Sequence, residues 1–253
     1  MLHGIYLSAA GALIEEVRQA VIANNLANSS TDGYKSDSVS FRRRLAEARE
    51  DLIPGAGGLD AGLDGLPGGV FLDEVAFSRS QGAIVPTGDS FDLALRGDGF
   101  FVVGDGRQLL YTRAGSFRRN AAGDLVTADG RFKLLGVDGN PVSVGAGEVR
   151  VGSRGEISVN GRPAGRLLVA GGLDPARFDK AGGNYFRYLG EGLPPAAAAE
   201  VIQGSLEVSD VSPVNEMVRL IQSHRAYEAN LQMARIQDST LARAASDLPR
   251  VTA

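Results

Sequence analysis

The placement of glycine constrains this chain more than any other feature. Of 34 glycines, three (Gly4, Gly11 and Gly33) precede Gly55 and none follows Gly204. A glycine inside a helix costs about 1 kcal/mol relative to alanine, so long helices are disfavoured in the middle and permitted at both ends. The middle reads as short strands: "VFLDEVAFS" (70–78), "FDLAL" (91–95), "GFFVV" (99–103), "EVRVG" (148–152), "EISVN" (156–160) and "RLLVA" (166–170). Asp-Gly at 98–99, 105–106, 129–130 and 138–139, and Asn-Gly at 160–161, supply tight turns of the kind that join antiparallel strands. The stretch "PGAGGLDAGLDGLPGG" (54–69) is too rich in glycine for a packed element and reads as a flexible connection. Before it, Arg42, Arg43 and Arg44 face Glu47 and Glu50 at helical spacing, as on a solvated helix face.

The glycine-poor ends carry narrow stripes at alternating spacings of three and four. The first runs through Tyr6, Ala10, Leu13, Val17, Ala20, Asn24 and Ala27, and stops where "NSSTDG" (28–33) offers side chains that compete for backbone hydrogen bonds. The second begins after Asp210 or Ser212 with Pro213 and runs through Met217, Leu220, His224, Tyr227, Leu231, Ala234, Asp238 and Leu241. Each helix spans roughly 36 Å at about 1.5 Å per residue, and matched lengths suggest that they pair. A single narrow pair buries little apolar area, so neighbouring molecules are expected to bury the rest. The expected fold is α+β, with terminal helices paired as a coiled coil around a glycine-rich antiparallel β domain. The helical part comprises 1–35 with 205–253, an extended linker covers 36–80, and the β domain covers 81–204.

Composition narrows the chemistry. The chain has no cysteine and only His3 and His224, which argues against disulfides and thiolate or imidazole metal cages. Gly97-Asp98-Gly99 superficially resembles a dinucleotide loop, but the third glycine would fall at Val102, so a hairpin turn is expected. Asp89, Asp92 and Asp98 read as turn formers rather than paired catalytic acids. His224 reads as a packed seam residue. A net charge of −4 spread along the chain gives no reason to expect nucleic acid or an anionic membrane. No window is apolar enough for a membrane span, and the first residues lack the pattern of a cleaved signal. The expectation is a non-enzyme without cofactor or small-molecule substrate, partnered by protein.

Three ordered segments carry a resemblance. "ANNLANSSTDGYK" (23–35), then "TGDSFDLALRGDGFFVV" (87–103) with "YTRAGSF" (111–117) and "GDLVTADG" (123–130), and finally "GSLEVSDVSPVNEMVRLIQSHRAYEAN" (204–230) resemble the flagellar rod, hook and basal-body proteins. The resemblance implies an axial subunit exported unfolded by the flagellar type III apparatus, without a cleaved signal. Such a subunit polymerises with itself and with other rod and hook proteins into a tube across the periplasm, and transmits torque between motor and hook. Length and the compact β region are similar to a proximal or distal rod protein. The segment after Tyr34 lacks a clear match to the distal rod's extended segment, which favours the proximal rod. A hook or hook-junction protein, and a monomeric coiled-coil adaptor, are the alternatives.

The resemblance together with the stripes places the subunit interface at Tyr6, Leu13, Val17, Asn24, Asn25, Asn28, Gly33, Tyr34 and Lys35 at one end. At the other end it falls on Met217, Leu220, His224, Arg225, Tyr227, Leu231 and Leu241. Asn24, a full turn before the helix end, is expected to act as a buried amide that fixes register. In a dilute monomer the ends should exchange amide hydrogens rapidly and gain protection when rod or hook partners are added. Full protection of the ends without partners would contradict a polymer subunit.

Overall fold

A computed structural model describes residues 2–43, 70–171, 177–190, 192, 194, 197 and 199–246. The fold is α+β: helix α1, Leu2–Ala27, and helix α2, Pro213–Ser246, flank a central antiparallel β region. The flexible connection expected at 54–69 lies outside the described residues. Two compact units emerge. One contains both helices and the segment 37–76; the other contains 27–36 and 77–212. The turn after α1 and the strand Ser205–Glu207 thus go with the β unit.

In the helical unit, α1 ends where expected, before a turn that uses Gly33 at φ 64°. Ser212 precedes Pro213 at the start of α2. Antiparallel packing of the helices is visible in matched positions. A Cβ at Gly4 would sit 2.8 Å from Gln237 Oε1, and one at Gly11 would sit 2.9 Å from Asn230 Oδ1. The two glycines are one heptad apart, as are the two amides, and they run in opposite directions. The solvated helix face expected around Arg42 and Arg43 is instead a strand: Asp37–Arg43 pairs with Val70–Phe77. The alternation in "SVSF" outweighs the charge spacing that suggested a helix. Arg44, Glu47 and Glu50 lie outside the described residues.

The β unit is organised by the strand Phe100–Gly104, at the middle of an eight-stranded sheet. Its run "FFVV" is buried on both faces, so alternate residues serve different cores. Phe101 and Val103 join Leu93, Leu125, Leu134 and Ile157 on one side. Phe100 and Val102 join Phe77, Phe178 and Phe186 on the other. A continuous apolar run, not an alternating one, is what a doubly covered strand requires.

Most turn pairs join neighbouring strands as expected. Asn160 and Gly161, at φ 51° and 77°, close the two-residue hairpin between Glu156–Val159 and Arg162–Arg166. Asp105-Gly106 and Asp129-Gly130 close two more within the large sheet. The turn at Gly97-Asp98-Gly99 is not a hairpin. Leu93–Arg96 pairs with Glu200–Gln203, while Phe100–Gly104 belongs to the large sheet, so this turn carries the chain between sheets. Phe186 packs at 4.8 Å and 4.9 Å between ring centroids of Phe77 and Phe100. Phe186→Ala should therefore cost about 3–5 kcal/mol, measured as a shift in urea unfolding monitored on the β unit.

Candidate subunit interface

The two helices invert the usual arrangement of a paired helix. Facing inward on α1 are Ser8, Ala12, Glu15, Ile22 and Asn25, all buried. The inner line of α2 passes through Glu216, Leu220, Ser223, Tyr227, Asn230, Ala234, Gln237 and Leu241, again spaced by fours and threes. Much of this seam is polar. Ser223 Oγ donates to Glu15 Oε2 at 2.7 Å, and Arg18 Nη1 meets Glu15 Oε1 at 2.6 Å. Arg219 Nη1 meets Glu216 Oε1 at 2.8 Å. The Asn25 amide forms two bonds with the backbone of Asp37, at 2.9 Å and 2.8 Å, in the manner of an added strand residue.

Apolar side chains occupy the opposite face. On α2, Val214 is 70% exposed, Val218 49%, Ile221 56%, Met233 50% and Ile236 51%. At 100° per residue Val214, Val218, Ile221 and Ile236 fall on the side of the helix away from the inner seam, and Met233 lies on its flank. On α1, Tyr6 is 74% and Leu13 66% exposed, so the first stripe read from the sequence points outward in the subunit. Val17, Asn28, Leu220, Tyr227, Leu231 and Leu241 are half-buried, and Met217, His224 and Arg225 are exposed.

Two expectations are corrected here. Asn24 is exposed, and its neighbour Asn25 is the buried amide, because Asn25 faces the strand at Asp37. His224 is exposed beside Glu228 at 3.5 Å rather than packed in a seam, since the inner line passes through Ser223.

Gly33, Tyr34 and Lys35, expected at an interface between subunits, are enclosed by their own chain. Lys35 Nζ donates to Glu207 Oε1 and to Ser80 O, each at 2.6 Å. Arg113 Nη1 donates to Glu207 Oε2 at 3.0 Å and Leu95 O at 3.1 Å, and Nη2 donates to Gly97 O. Two cations and one carboxylate, each no more than 2% exposed, are completed by main-chain carbonyls. Burial pulls the Arg113 guanidinium below its ordinary range while the Glu207 charge holds it up. Gly33 N donates to Glu207 O at 2.6 Å, and a Cβ there would lie 2.3 Å from the Arg113 carbonyl carbon. Only glycine fits this backbone at positive φ. Lys180 stands over the Tyr34 ring at 4.4 Å and donates to Lys35 O at 2.8 Å. Ser36 N donates to Asp210 Oδ1 at 2.7 Å, closing this clasp between segments 33–36 and 207–210.

Arg113 and Glu207 were not singled out by the sequence. A lone charge near a strand normally reads as solvated, and their partners are 94 or more residues away. The inner helical seam left one usable trace: Gly4 and Gly11, an unfavourable residue repeated at heptad spacing inside a helix, marks a close approach.

Comparison with known proteins covers the same segments. A family model described as flagella basal body rod protein matches residues 7–35. One described as flagellar hook protein FlgE/F/G D1 domain matches 94–159, and one described as flagellar basal body rod FlgEFG protein C-terminal matches 202–247. The chain is 33% identical over 225 residues to flagellar basal-body rod protein FlgF of Caulobacter vibrioides, covering 87% of this chain and 86% of the relative. It is 30% identical over 259 residues to FlgF of Rhizobium meliloti, covering 98% of each. It is 28% identical over 265 residues to FlgG of Bacillus subtilis, covering 95% of this chain and 97% of the relative.

The clasp sets an expected outcome. Glu207→Ala leaves Lys35 and Arg113 buried without a carboxylate and should destabilise the β unit by about 3–5 kcal/mol in denaturant unfolding. A change within experimental error would show that main-chain carbonyls suffice.

Proposed function

Since the chain belongs to the flagellar basal-body rod protein family and is a structural subunit of the rod, we propose that it polymerises there through the outward faces of its terminal helices. One observation carries this reading: Val214, Val218, Ile221 and Ile236 of α2 are exposed on the face turned away from α1. Burying four such exposed side chains against neighbours contributes on the order of 4 kcal/mol per subunit before ordering costs. The polar inner seam fixes how α1 and α2 pair, as an antiparallel coiled coil, and the outer face joins subunits. Matched Gly4–Gln237 and Gly11–Asn230 positions support that pairing.

Helices packed in this way form the inner layer of a tube, with the β units as its outer contacts. Torque then passes from motor to hook through helix–helix interfaces. The neighbours are further copies and the other rod and hook proteins. The chain reaches its place across the periplasm by export through the flagellar type III apparatus, unfolded and without cleavage of a signal. Within the rod, the segment after Tyr34 favours the proximal part, as it lacks the distal rod's extended match.

Replacing Val218 and Ile221 together with Asp should lower incorporation into purified basal bodies at least about tenfold, because two charges would be buried at each contact. The β unit should keep its unfolding midpoint. Wild-type incorporation of this double variant would overturn the proposal.

A further inference from the structure

We infer that the groove formed by α1, α2 and the strand Asp37–Arg43 is a socket for the outward face of α2 of a second copy of this chain, with Arg225 of that copy reaching Glu216. The inference rests on the rod-subunit reading above and specifies which surfaces meet. The groove encloses about 500 Å³ within the helical unit. Glu216 on its wall is only 5% exposed, yet its Oε2 has no hydrogen-bond partner among the described residues; Oε1 is taken by Arg219. A buried carboxylate oxygen left without a donor is unfavourable, and a donor brought from outside relieves it. Glu15, across the groove, differs: Arg18 occupies one oxygen and Ser223 the other. The groove therefore asks for a donor at one defined place.

Charge sets the kind of donor. Glu15, Glu216 and Asp37 line the groove against Arg18 and Arg219, leaving one negative charge in excess. The outward face of α2 offers the complement. Arg225 is exposed, follows Val218 and Ile221 on the same stripe, and has no hydrogen-bond or ion-pair partner among the described residues. Val21, Ile22 and Val39 give the groove apolar walls for the flanking side chains. A guanidinium suits this position because its fork delivers directed donors to a carboxylate and is less strongly hydrated than an ammonium. Socket and inserted face are different surfaces of the same chain, so the contact is heterologous. Repetition of such a contact generates an open helix rather than a closed dimer.

The test uses the full-length chain assembled in cells. A benzophenone side chain is placed at Ser38, an exposed residue on the groove wall, in cells that also produce a differently tagged copy. Irradiated basal bodies should contain an adduct between the two tagged copies, mapped by mass spectrometry to the part of α2 around Arg225. Arg225→Glu should abolish that adduct and reduce incorporation about tenfold, and the shape-preserving Glu216→Gln should reduce it about threefold. An adduct with a different protein, or with another part of the second copy, would overturn the assignment. So would an intact adduct with wild-type incorporation of Arg225→Glu. If Arg225→Glu incorporates normally while the Val218 and Ile221 double variant stays excluded, the socket falls and helix-face polymerisation stands. If both incorporate normally, that wider reading falls too.

Discussion

The β unit hangs on one buried carboxylate. Glu207 takes Lys35 and Arg113 on its two oxygens, accepts Gly82 N at 3.0 Å, and receives Gly33 N at its backbone carbonyl. Those groups come from three separate places in the chain. An apolar residue in that position would pack as well but would not specify which of several glycine-rich turns approaches it. A charge network that is satisfied only in one arrangement does, at the expense of desolvating three ionised groups. The same logic explains Gly33. Its backbone must come so close to Arg113 that no side chain is tolerated, so the tightness of the turn and the burial of the charges are one requirement.

The helices use polarity differently. In an isolated helical hairpin, the apolar face would turn inward and the polar face outward. Here Glu15, Ser223 and Glu216 line the inner seam, while Val214, Ile221 and Ile236 face out. Small and polar inner residues give a close, directional contact and leave Val214, Ile221 and Ile236 exposed on the outer face.

The sequence was most legible where local chemistry decides structure. Asn160-Gly161 must adopt positive φ and does so in a hairpin, and the end of α1 follows from a cluster of capping residues and Gly33. It was least legible where a distant segment decides. Asp98-Gly99 has the local form of a hairpin turn, yet the preceding strand pairs with Glu200–Gln203, about a hundred residues on. The helical stripes show a subtler failure. Choosing apolar residues at heptad spacing located the outward line of α1, because the inner line mixes Ala12 and Ile22 with Ser8, Glu15 and Asn25, which interrupt its hydrophobic pattern. Asn24 was preferred to Asn25 for the same reason. Glu207 and Arg113 belong to the distant class: each is an ordinary charge until the topology brings their partners within reach.

The clasp also changes the entropy of closing the helices onto each other. Glu15 and Ser223 are 208 residues apart in the chain, so their contact closes nearly the whole polypeptide into a ring. Once Ser36 is bonded to Asp210, only roughly 34 residues of chain separate them along the shorter route. By the logarithmic dependence of loop closure on length, that lowers the entropic cost by about 1.6 kcal/mol. A folded β unit therefore works as a tether that raises the effective concentration of one helix near the other, and a seam with little apolar area is enough to hold them.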